Sequence, residues 1–96
     1  MATLLTDAEL QTRLANLPDW TRDGDAISRT VELPSFPDAI EFVRRVGEAA
    51  EEANHHPDID IRWRKVTLTL STHSEGGLTE ADVSMARQID LLTSDR

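Results

Sequence analysis

The alternating stretch VTLTLST, residues 66–72, constrains the fold of this chain more than any other feature. Side chains of a β-strand point alternately to the two faces of its sheet, so this alternation of apolar and hydroxyl residues predicts a strand. It belongs to a longer stretch, residues 59–72, that is rich in Ile, Trp, Val, Thr and Leu. Because a strand usually has about 5 to 6 residues, we interpret residues 59–72 as a hairpin with its turn near Arg64 and Lys65.

A second hairpin is predicted earlier in the chain, around the turn signal Asp23-Gly24-Asp25. Asp and Gly favour tight turns because they tolerate the backbone angles that such turns require. We therefore predict strands over residues 19–22 and 26–33. The second of these strands is expected to carry three apolar residues on one face, namely Ile27, Val31 and Leu33.

Two helices are predicted from capping boxes, one near each end of the chain. Thr6 and Glu9 form the first box, and leucines at helical spacing follow until Pro18 stops the helix. Thr79 is the N-cap of the last helix, with Asp82 at its third position. The apolar residues assigned to these two helices are Leu10, Leu14, Leu17, Leu78, Val83, Met85, Ile89 and Leu92.

The longest helix is predicted in the middle of the chain. Ser35 is its expected N-cap, Pro37 lies in its first turn, and it ends near Asn54. Helical spacing predicts one apolar face, made of Phe36, Ile40, Val43, Gly47 and Ala50.

These elements follow the order α-β-β-α-β-β-α. Their order predicts an α+β fold, a four-stranded antiparallel sheet with three helices packed on one face. Because 96 residues suit one compact core, and no repeat or linker divides the chain, we expect a single domain over residues 1–96.

The composition excludes several kinds of function. The chain has no cysteine, which rules out disulfides, thiolate catalysis and cysteine-ligated metal sites. A net charge of -8 argues against direct nucleic-acid binding, which needs clustered Lys and Arg. No apolar run approaches the roughly 20 residues that span a membrane, and the start MATLLTDAEL lacks the layout of a signal peptide. We therefore expect a cytoplasmic protein without a membrane segment.

All three histidines lie at the ends of predicted elements. His55 and His56 are adjacent, after the middle helix and before a strand, and His73 follows the last strand. Such ends can converge on one edge of a two-layer fold, where binding and catalytic residues concentrate. Taken alone, His73 is better explained as a surface or half-buried histidine, whereas the adjacent pair is explained about equally well by chance and by function.

The residues around the histidines resemble the pterin-4a-carbinolamine dehydratase family. The matching positions are Glu51, His55, His56, Pro57, Trp63, His73 and Asp82. The segments LSTH, GGLT and AD are similar to the family too, as is Trp20 followed by a turn and Asp25-Ala26-Ile27, so the likeness covers most of the chain. One position departs, because Asn54 stands where some members carry Asp.

The resemblance implies dehydration of a 4a-hydroxy-tetrahydropterin to a quinonoid dihydropterin, which a reductase can recycle. It assigns acid–base roles to His55 and His73 and binding of the pterin to His56. Histidine suits this chemistry because imidazole, with an ordinary pKa of about 6.5, can donate or accept a proton near neutrality. No metal or redox cofactor is implied. Supporting positions carried over from the family are Glu51, Asn54, Pro57, Asp82 and Trp20.

Several of these positions have structural explanations as well. Asp82 sits where a capping carboxylate belongs, so it could cap the helix, serve the site, or do both. Glu51 lies on a helix dense with acids, which a solvated face explains nearly as well. Pro57 breaks the helix and sets the direction of the histidine pair. Trp20 and Trp63 could both be core residues, and for Trp63 we favour the core.

Two other classes of function stay open. A metal site built from His55, His56 and His73 is disfavoured because zinc ligands usually have wider spacing. A non-enzymatic interaction module is the stronger rival. The family that the chain resembles includes dimerisation partners of a transcription factor, and related domains occur in assembly proteins. The resemblance also implies a homodimer or homotetramer, formed by pairing of edge strands.

Overall fold

The computed structural model describes residues 3–94, which form three α-helices and one four-stranded antiparallel sheet. The predicted α+β fold and its order of elements are confirmed. In chain order the elements are α1 (Asp7–Leu14), β1 (Thr21–Asp23), β2 (Ala26–Glu32), α2 (Phe36–Ala53), β3 (Asp58–Arg62), β4 (Lys65–Leu70), a 3-10 turn (His73–Glu75) and α3 (Glu80–Ser94).

The strands lie in the order β1-β2-β4-β3, and each neighbouring pair is antiparallel. Each hairpin supplies one half of the sheet, and α2 carries the chain from β2 to β3. Strand β4 is therefore central, with Val66 paired to Val31 on one side and to Ile61 on the other. Strands β1 and β3 form the two edges.

The core lies between one face of the sheet and the helices. Ile27 and Val31 lie on that face, as predicted, opposite Leu70 and Val66. Helices α2 and α3 pack against each other and against β4. The buried apolar residues of the two helices are Ala39, Phe42, Val46, Ala50, Val83, Met85, Ala86 and Ile89. No helix among residues 3–94 is long and apolar enough to span a membrane.

The predicted helix starts are confirmed, whereas α1 ends at Leu14 instead of continuing to Pro18. The hydroxyl of Thr6 accepts from the Glu9 amide at 3.1 Å, and the Glu9 carboxylate accepts from the Thr6 amide at 2.8 Å. These bonds from Thr6, the backbone amide first, lower the pKa of Glu9 below its ordinary value. Ser35 caps α2 by accepting from the Asp38 amide at 3.2 Å. The same helix ends at Asn54, which takes the left-handed conformation with φ 52°.

The apolar face predicted for α2 is buried only in part, since Ala50 is buried and Val43 and Gly47 are half-buried. Phe36 and Ile40 are 47% and 45% exposed, while the buried positions are Ala39, Phe42, Val46 and Ala50. The helix carries two apolar stripes at helical spacing, so its sequence alone does not say which one faces the sheet. Packing on β4 selects the stripe that begins at Ala39.

The position of Trp63 is also a correction. Arg62 pairs with Lys65, so the turn of the second hairpin is Trp63–Arg64, one residue earlier than predicted. Trp63 is 67% exposed rather than in the core, because the central residues of a two-residue turn project beyond the sheet. The Arg64 guanidinium lies 4.5 Å from the centre of its ring, a cation–π contact.

The first hairpin is shorter than predicted. Strand β1 spans Thr21–Asp23 instead of residues 19–22, and β2 ends at Glu32 instead of Leu33. Asp23 pairs with Ala26, which leaves Gly24 and Asp25 as the turn. Gly24 has φ 61°, a conformation that glycine adopts without steric cost.

Candidate active site

The hydrogen bond between His55 and Asp82 is the centre of the candidate site. His55 follows the left-handed cap Asn54, and its amide donates to the Ala50 carbonyl at 3.1 Å, which fixes the backbone where α2 ends. Its ring nitrogen Nε2 lies 2.6 Å from Oδ1 of Asp82. The His55 side chain is 15% exposed and that of Asp82 is 0% exposed, so this pair is shielded from water.

Asp82 both caps α3 and contacts His55. Its second oxygen, Oδ2, accepts from the Thr79 amide at 2.9 Å, which is the capping bond expected for this position. The same oxygen accepts from the hydroxyl of Thr72 at 2.7 Å. A buried carboxylate requires such donors because it has lost its water. Of the structural alternatives for Asp82, the one that combines capping with a contact to the site agrees with the geometry.

His56 makes a separate pair on the surface. Its Nε2 lies 2.5 Å from Oε2 of Glu51, and the two side chains are 55% and 79% exposed. Glu51 belongs to the last turn of α2, so the predicted neighbours are brought together at the end of this helix. An exposed ion pair adds little to stability, typically about 0–1 kcal/mol. The pair therefore contributes little to holding the fold.

His73 lies at the start of the 3-10 turn and is exposed. Thr72, directly before it, forms a β-bridge with Gly77, and its hydroxyl bonds to Asp82. Asp82 thus joins the two segments that carry His55 and His73. The ends of α2 and β4 and the start of α3 meet at this one carboxylate.

The supporting positions predicted for the site differ in how they relate to the hydrogen-bonded group around Asp82. Asn54 is the cap that turns the chain toward His55, and Pro57 is half-buried between the histidine pair and β3. Trp20 is 5% exposed in the core, and its indole nitrogen donates to Asp90 at 2.8 Å. The bond of Trp20 to Asp90 lies outside the hydrogen-bonded group around Asp82.

Sequence reasoning missed Thr72 as a member of the site. Its hydroxyl lies 2.8 Å from that of Thr79, and both side chains are buried. The only signal in the sequence is a threonine between the end of a strand and His73. That signal is weak, because threonine is common in strands for other reasons.

The described part of the chain contains no preformed metal site. Within residues 3–94, no group of three or more His, Asp or Glu side chains is arranged to hold an ion. The Nε2 atoms of His55 and His56 are instead hydrogen-bonded to the carboxylates of Asp82 and Glu51. The arrangement provides imidazoles held by carboxylates, a combination suited to proton transfer.

The fold and the site together define a class of protein, a two-layer α+β domain with carboxylate-supported histidines at the ends of its elements. The family model described as pterin 4 alpha carbinolamine dehydratase matches residues 3–92. The chain belongs to this family, as the resemblance of its motifs predicted.

Two curated relatives extend the match over nearly the whole chain. A protein of Nocardia farcinica is 67% identical over 89 residues, which cover 93% of this chain and 94% of that protein. A protein of Roseiflexus sp. (strain RS-1) is 61% identical over 90 residues, which cover 94% of this chain and 97% of that protein. Both are named "Putative pterin-4-alpha-carbinolamine dehydratase".

Two solved structures share the fold. The transcriptional coactivator/pterin dehydratase of Brucella melitensis superimposes with a TM-score of 0.91 at 33% identity, covering 95% of this chain and 99% of that one. A pterin dehydratase-like protein described as a RuBisCO assembly factor of the alpha-carboxysome gives 0.64 at 21% identity, covering 77% and 86%. The second likeness shows the fold alone.

Proposed function

We propose that this protein is a dehydratase that acts on a 4a-hydroxy-tetrahydropterin, the product of aromatic amino acid hydroxylation. The observation that carries the proposal is the pair of His55 and Asp82, a mostly buried imidazole 2.6 Å from a fully buried carboxylate. A carboxylate in this position selects one imidazole tautomer and stabilises the cation that forms when the ring takes up a proton. Family membership supports the substrate class.

The reaction needs one acid and one base. The bond between C4a and the hydroxyl oxygen breaks, and the oxygen leaves with the electron pair and takes up a proton to become water. The neighbouring ring nitrogen, N5, contributes its lone pair to a new C=N bond and loses its proton. Atoms and charge balance without an oxidant or a reductant. The proposal therefore requires no metal or redox cofactor, and a reductase would return the quinonoid dihydropterin to the tetrahydro form.

We assign the two proton transfers to His55 and His73 and the binding of the pterin to His56. His55 has a carboxylate partner, as an acid–base histidine often does, while His73 is exposed and able to meet a substrate. His56 and Glu51 together present donors and acceptors at the surface. We propose a place for Trp20 near the substrate ring from its family position alone, because its indole nitrogen is bonded to Asp90.

We also propose that the protein works in the cytoplasm as a homodimer or homotetramer. All five residues of the edge strand β3 are exposed, and α2 exposes Phe36 and Ile40. Unpaired strand edges and exposed apolar positions are natural contacts in so small a domain. Light scattering should give a mass of two or four chains, reduced by Ile40→Gln but unchanged by Leu91→Gln, a matched exposed apolar residue of α3. A monomer at every concentration would contradict this proposal.

The dehydratase proposal is tested by generating a 4a-hydroxy-tetrahydropterin in a hydroxylase reaction and following its ultraviolet decay. The intact protein should accelerate the decay above the spontaneous rate. His55→Ala and His73→Ala should each lower this acceleration by about 10²- to 10⁴-fold, the usual contribution of a positioned acid or base. An unchanged spontaneous rate with folded protein would reject the proposal for this substrate.

A non-enzymatic interaction module is the second candidate. It is favoured by the exposed Phe36 and Ile40 and by the word coactivator in the description of the Brucella melitensis structure. A folded, oligomeric protein that leaves the decay rate unchanged would make this candidate the leading one.

A further inference from the structure

We propose that Thr72 and Thr79 are positioning residues that hold Asp82 so that His55 carries its proton on Nε2, which leaves Nδ1 as the nitrogen that exchanges a proton with substrate. The inference rests on the proposed function for its catalytic part. Its structural part, the tautomer of His55, can be measured without any substrate.

The direction of each hydrogen bond follows from the number of protons available. A carboxylate only accepts, so the Thr72 hydroxyl uses its single proton on Oδ2 of Asp82 at 2.7 Å. The 2.8 Å contact between Thr72 and Thr79 must then use the proton of Thr79. Thr79 in turn accepts from the Ala81 amide at 3.2 Å. The chain of donors therefore runs from Ala81 through Thr79 and Thr72 to Asp82.

These donors occupy one oxygen of Asp82 and leave the other for His55. Oδ2 receives both the Thr79 amide and the Thr72 hydroxyl, whereas Oδ1 receives the ring of His55. Since Oδ1 can only accept, the ring must donate from Nε2. Nδ1 of a neutral His55 is then unprotonated and able to accept a proton.

Because these side chains are buried, water cannot replace the donors that hold the Asp82 carboxylate. Thr79 and Asp82 are 0% exposed, and Thr72 is 8% exposed. Removal of the Thr72 hydroxyl would leave the carboxylate with one donor fewer in a place where solvent cannot replace it. The Thr79 amide alone would then hold Oδ2. The bond between Oδ1 and His55 would be less well fixed, and the preference of His55 for the Nε2-protonated form would weaken.

Helix capping does not account for Thr72. The cap of α3 needs only Thr79 and Asp82, which satisfy the amides of Ala81 and Thr79. Thr72 lies outside this helix and bonds to no amide of its first turn through its hydroxyl. Its hydroxyl contacts the carboxylate and Thr79 instead, which is the placement of a residue that orients Asp82.

The test compares Thr72→Val, which removes the hydroxyl at nearly constant shape, with Thr72→Ser, which keeps it. Thr93→Val is the matched control, because Thr93 is also 8% exposed and donates its hydroxyl to the Ile89 carbonyl. Nitrogen NMR of 15N-histidine-labelled protein reports which ring nitrogen of His55 is protonated. Steady-state kinetics on the same samples separates kcat from KM.

Thr72→Val should reduce the Nε2-protonated form of His55 and lower kcat by about 10- to 100-fold with little change in KM. Thr72→Ser should restore both, and Thr93→Val should alter neither. An unchanged tautomer in Thr72→Val would overturn the inference. Dehydratase activity absent from the intact protein would reject the proposed function, while the NMR comparison would still decide the role of Thr72.

A second variant, Asp82→Asn, tests the direction of the bonds if Thr72→Val fails to fold. Thr72 and the Thr79 amide both donate, so the amide oxygen of the new side chain should face them and its NH2 group should face His55. Nε2 of His55 must then accept, which moves the proton to Nδ1. Retention of the Nε2-protonated form in Asp82→Asn would contradict the inference.

Discussion

At the scale of single residues, surroundings separate histidines and tryptophans that look alike in the sequence. His55 is mostly buried against Asp82, while the adjacent His56 is exposed against Glu51. Trp20 is 5% exposed in the core, and Trp63 is 67% exposed at a turn. The residue type therefore indicates which reactions a side chain could take part in. Its hydrogen-bond partner and its exposed fraction decide which of these reactions are possible.

Glu51→Gln should weaken pterin binding without affecting the fold. The exposed pair with His56 contributes little to stability, so the free energy of unfolding should change by less than about 1 kcal/mol. If His56 orients the substrate, loss of its charged partner should raise KM while kcat stays nearly constant. Urea unfolding and steady-state kinetics measure the two effects. A fall in kcat at constant KM would show that the pair acts in the chemical step.

Trp63→Gly should leave stability nearly unchanged. The substitution removes an exposed cation–π contact with Arg64, worth about 0.5–1 kcal/mol, but it relieves a left-handed backbone, φ 56°, that glycine adopts freely. The two effects oppose each other, so we expect a net change under about 1 kcal/mol in urea unfolding. A loss of about 3–5 kcal/mol, typical of a core aromatic, would mean that Trp63 is buried in solution.

At the scale of elements, the ends of helices carry most of the local information. The capping boxes and the cap at Ser35 begin where the sequence places them, since they depend on neighbours three residues apart. The apolar face predicted for α2 includes the exposed Phe36 and Ile40, because contacts with β4 and α3 decide which face of the helix is buried. Local bonds therefore determine where an element begins, and contacts between elements determine how it is turned.

The capping box of α1 should weaken on acidification. Bonds from Thr6 lower the pKa of Glu9 in the folded protein, so the stabilisation is present above the ordinary pKa of glutamate, about 4.3, and is lost as the pH falls through the lower folded value. Amide NMR of Thr6 should follow this titration. Glu9→Gln, which keeps an acceptor oxygen without an ionisable group, should abolish it. A Thr6 amide that titrates equally in Glu9→Gln would show another cause.

At the scale of the whole molecule, a charged group joins three separate parts of the chain. Arg29 pairs with Leu68 on the helix-covered face of the sheet, between the core positions Ile27 and Val31. Its guanidinium bonds to Asp90 of α3 at 2.5 Å, and the same carboxylate oxygen accepts from Trp20. This contact ties the segment before β1 and the C-terminal half of α3 to strand β2.

Asp90→Ala should therefore lower the free energy of unfolding by about 1–3 kcal/mol, the range for losing hydrogen bonds to a partly buried charge. Asp60→Ala is the control, because Asp60 pairs with Arg62 on the surface and should change stability by less than about 1 kcal/mol. Urea unfolding of both variants gives the comparison. Equal effects of the two substitutions would show that the contact of Asp90 stabilises the fold no more than an exposed ion pair does.

Much of this protein follows from its sequence because the interactions involved are local. Alternation in residues 66–72, the turn at Gly24 and the caps at Thr6 and Ser35 act over a few residues, and they predict the α+β order correctly. The spacing of the histidine motif likewise leads to the correct family. Each of these features can be recognised without knowing what lies across the fold.

Only the tertiary structure decided which residues meet. His55 and Asp82 are 27 residues apart, and Thr72 reaches the same carboxylate from the end of another element. The bond between Arg29 and Asp90 spans 61 residues, and the exposure of Phe36, Ile40 and Trp63 depends on where the helices and the turn lie on the sheet. Such contacts arise from packing of the whole chain, and no local pattern encodes them. The sequence therefore determines the elements and the family, and packing determines the hydrogen-bonded site.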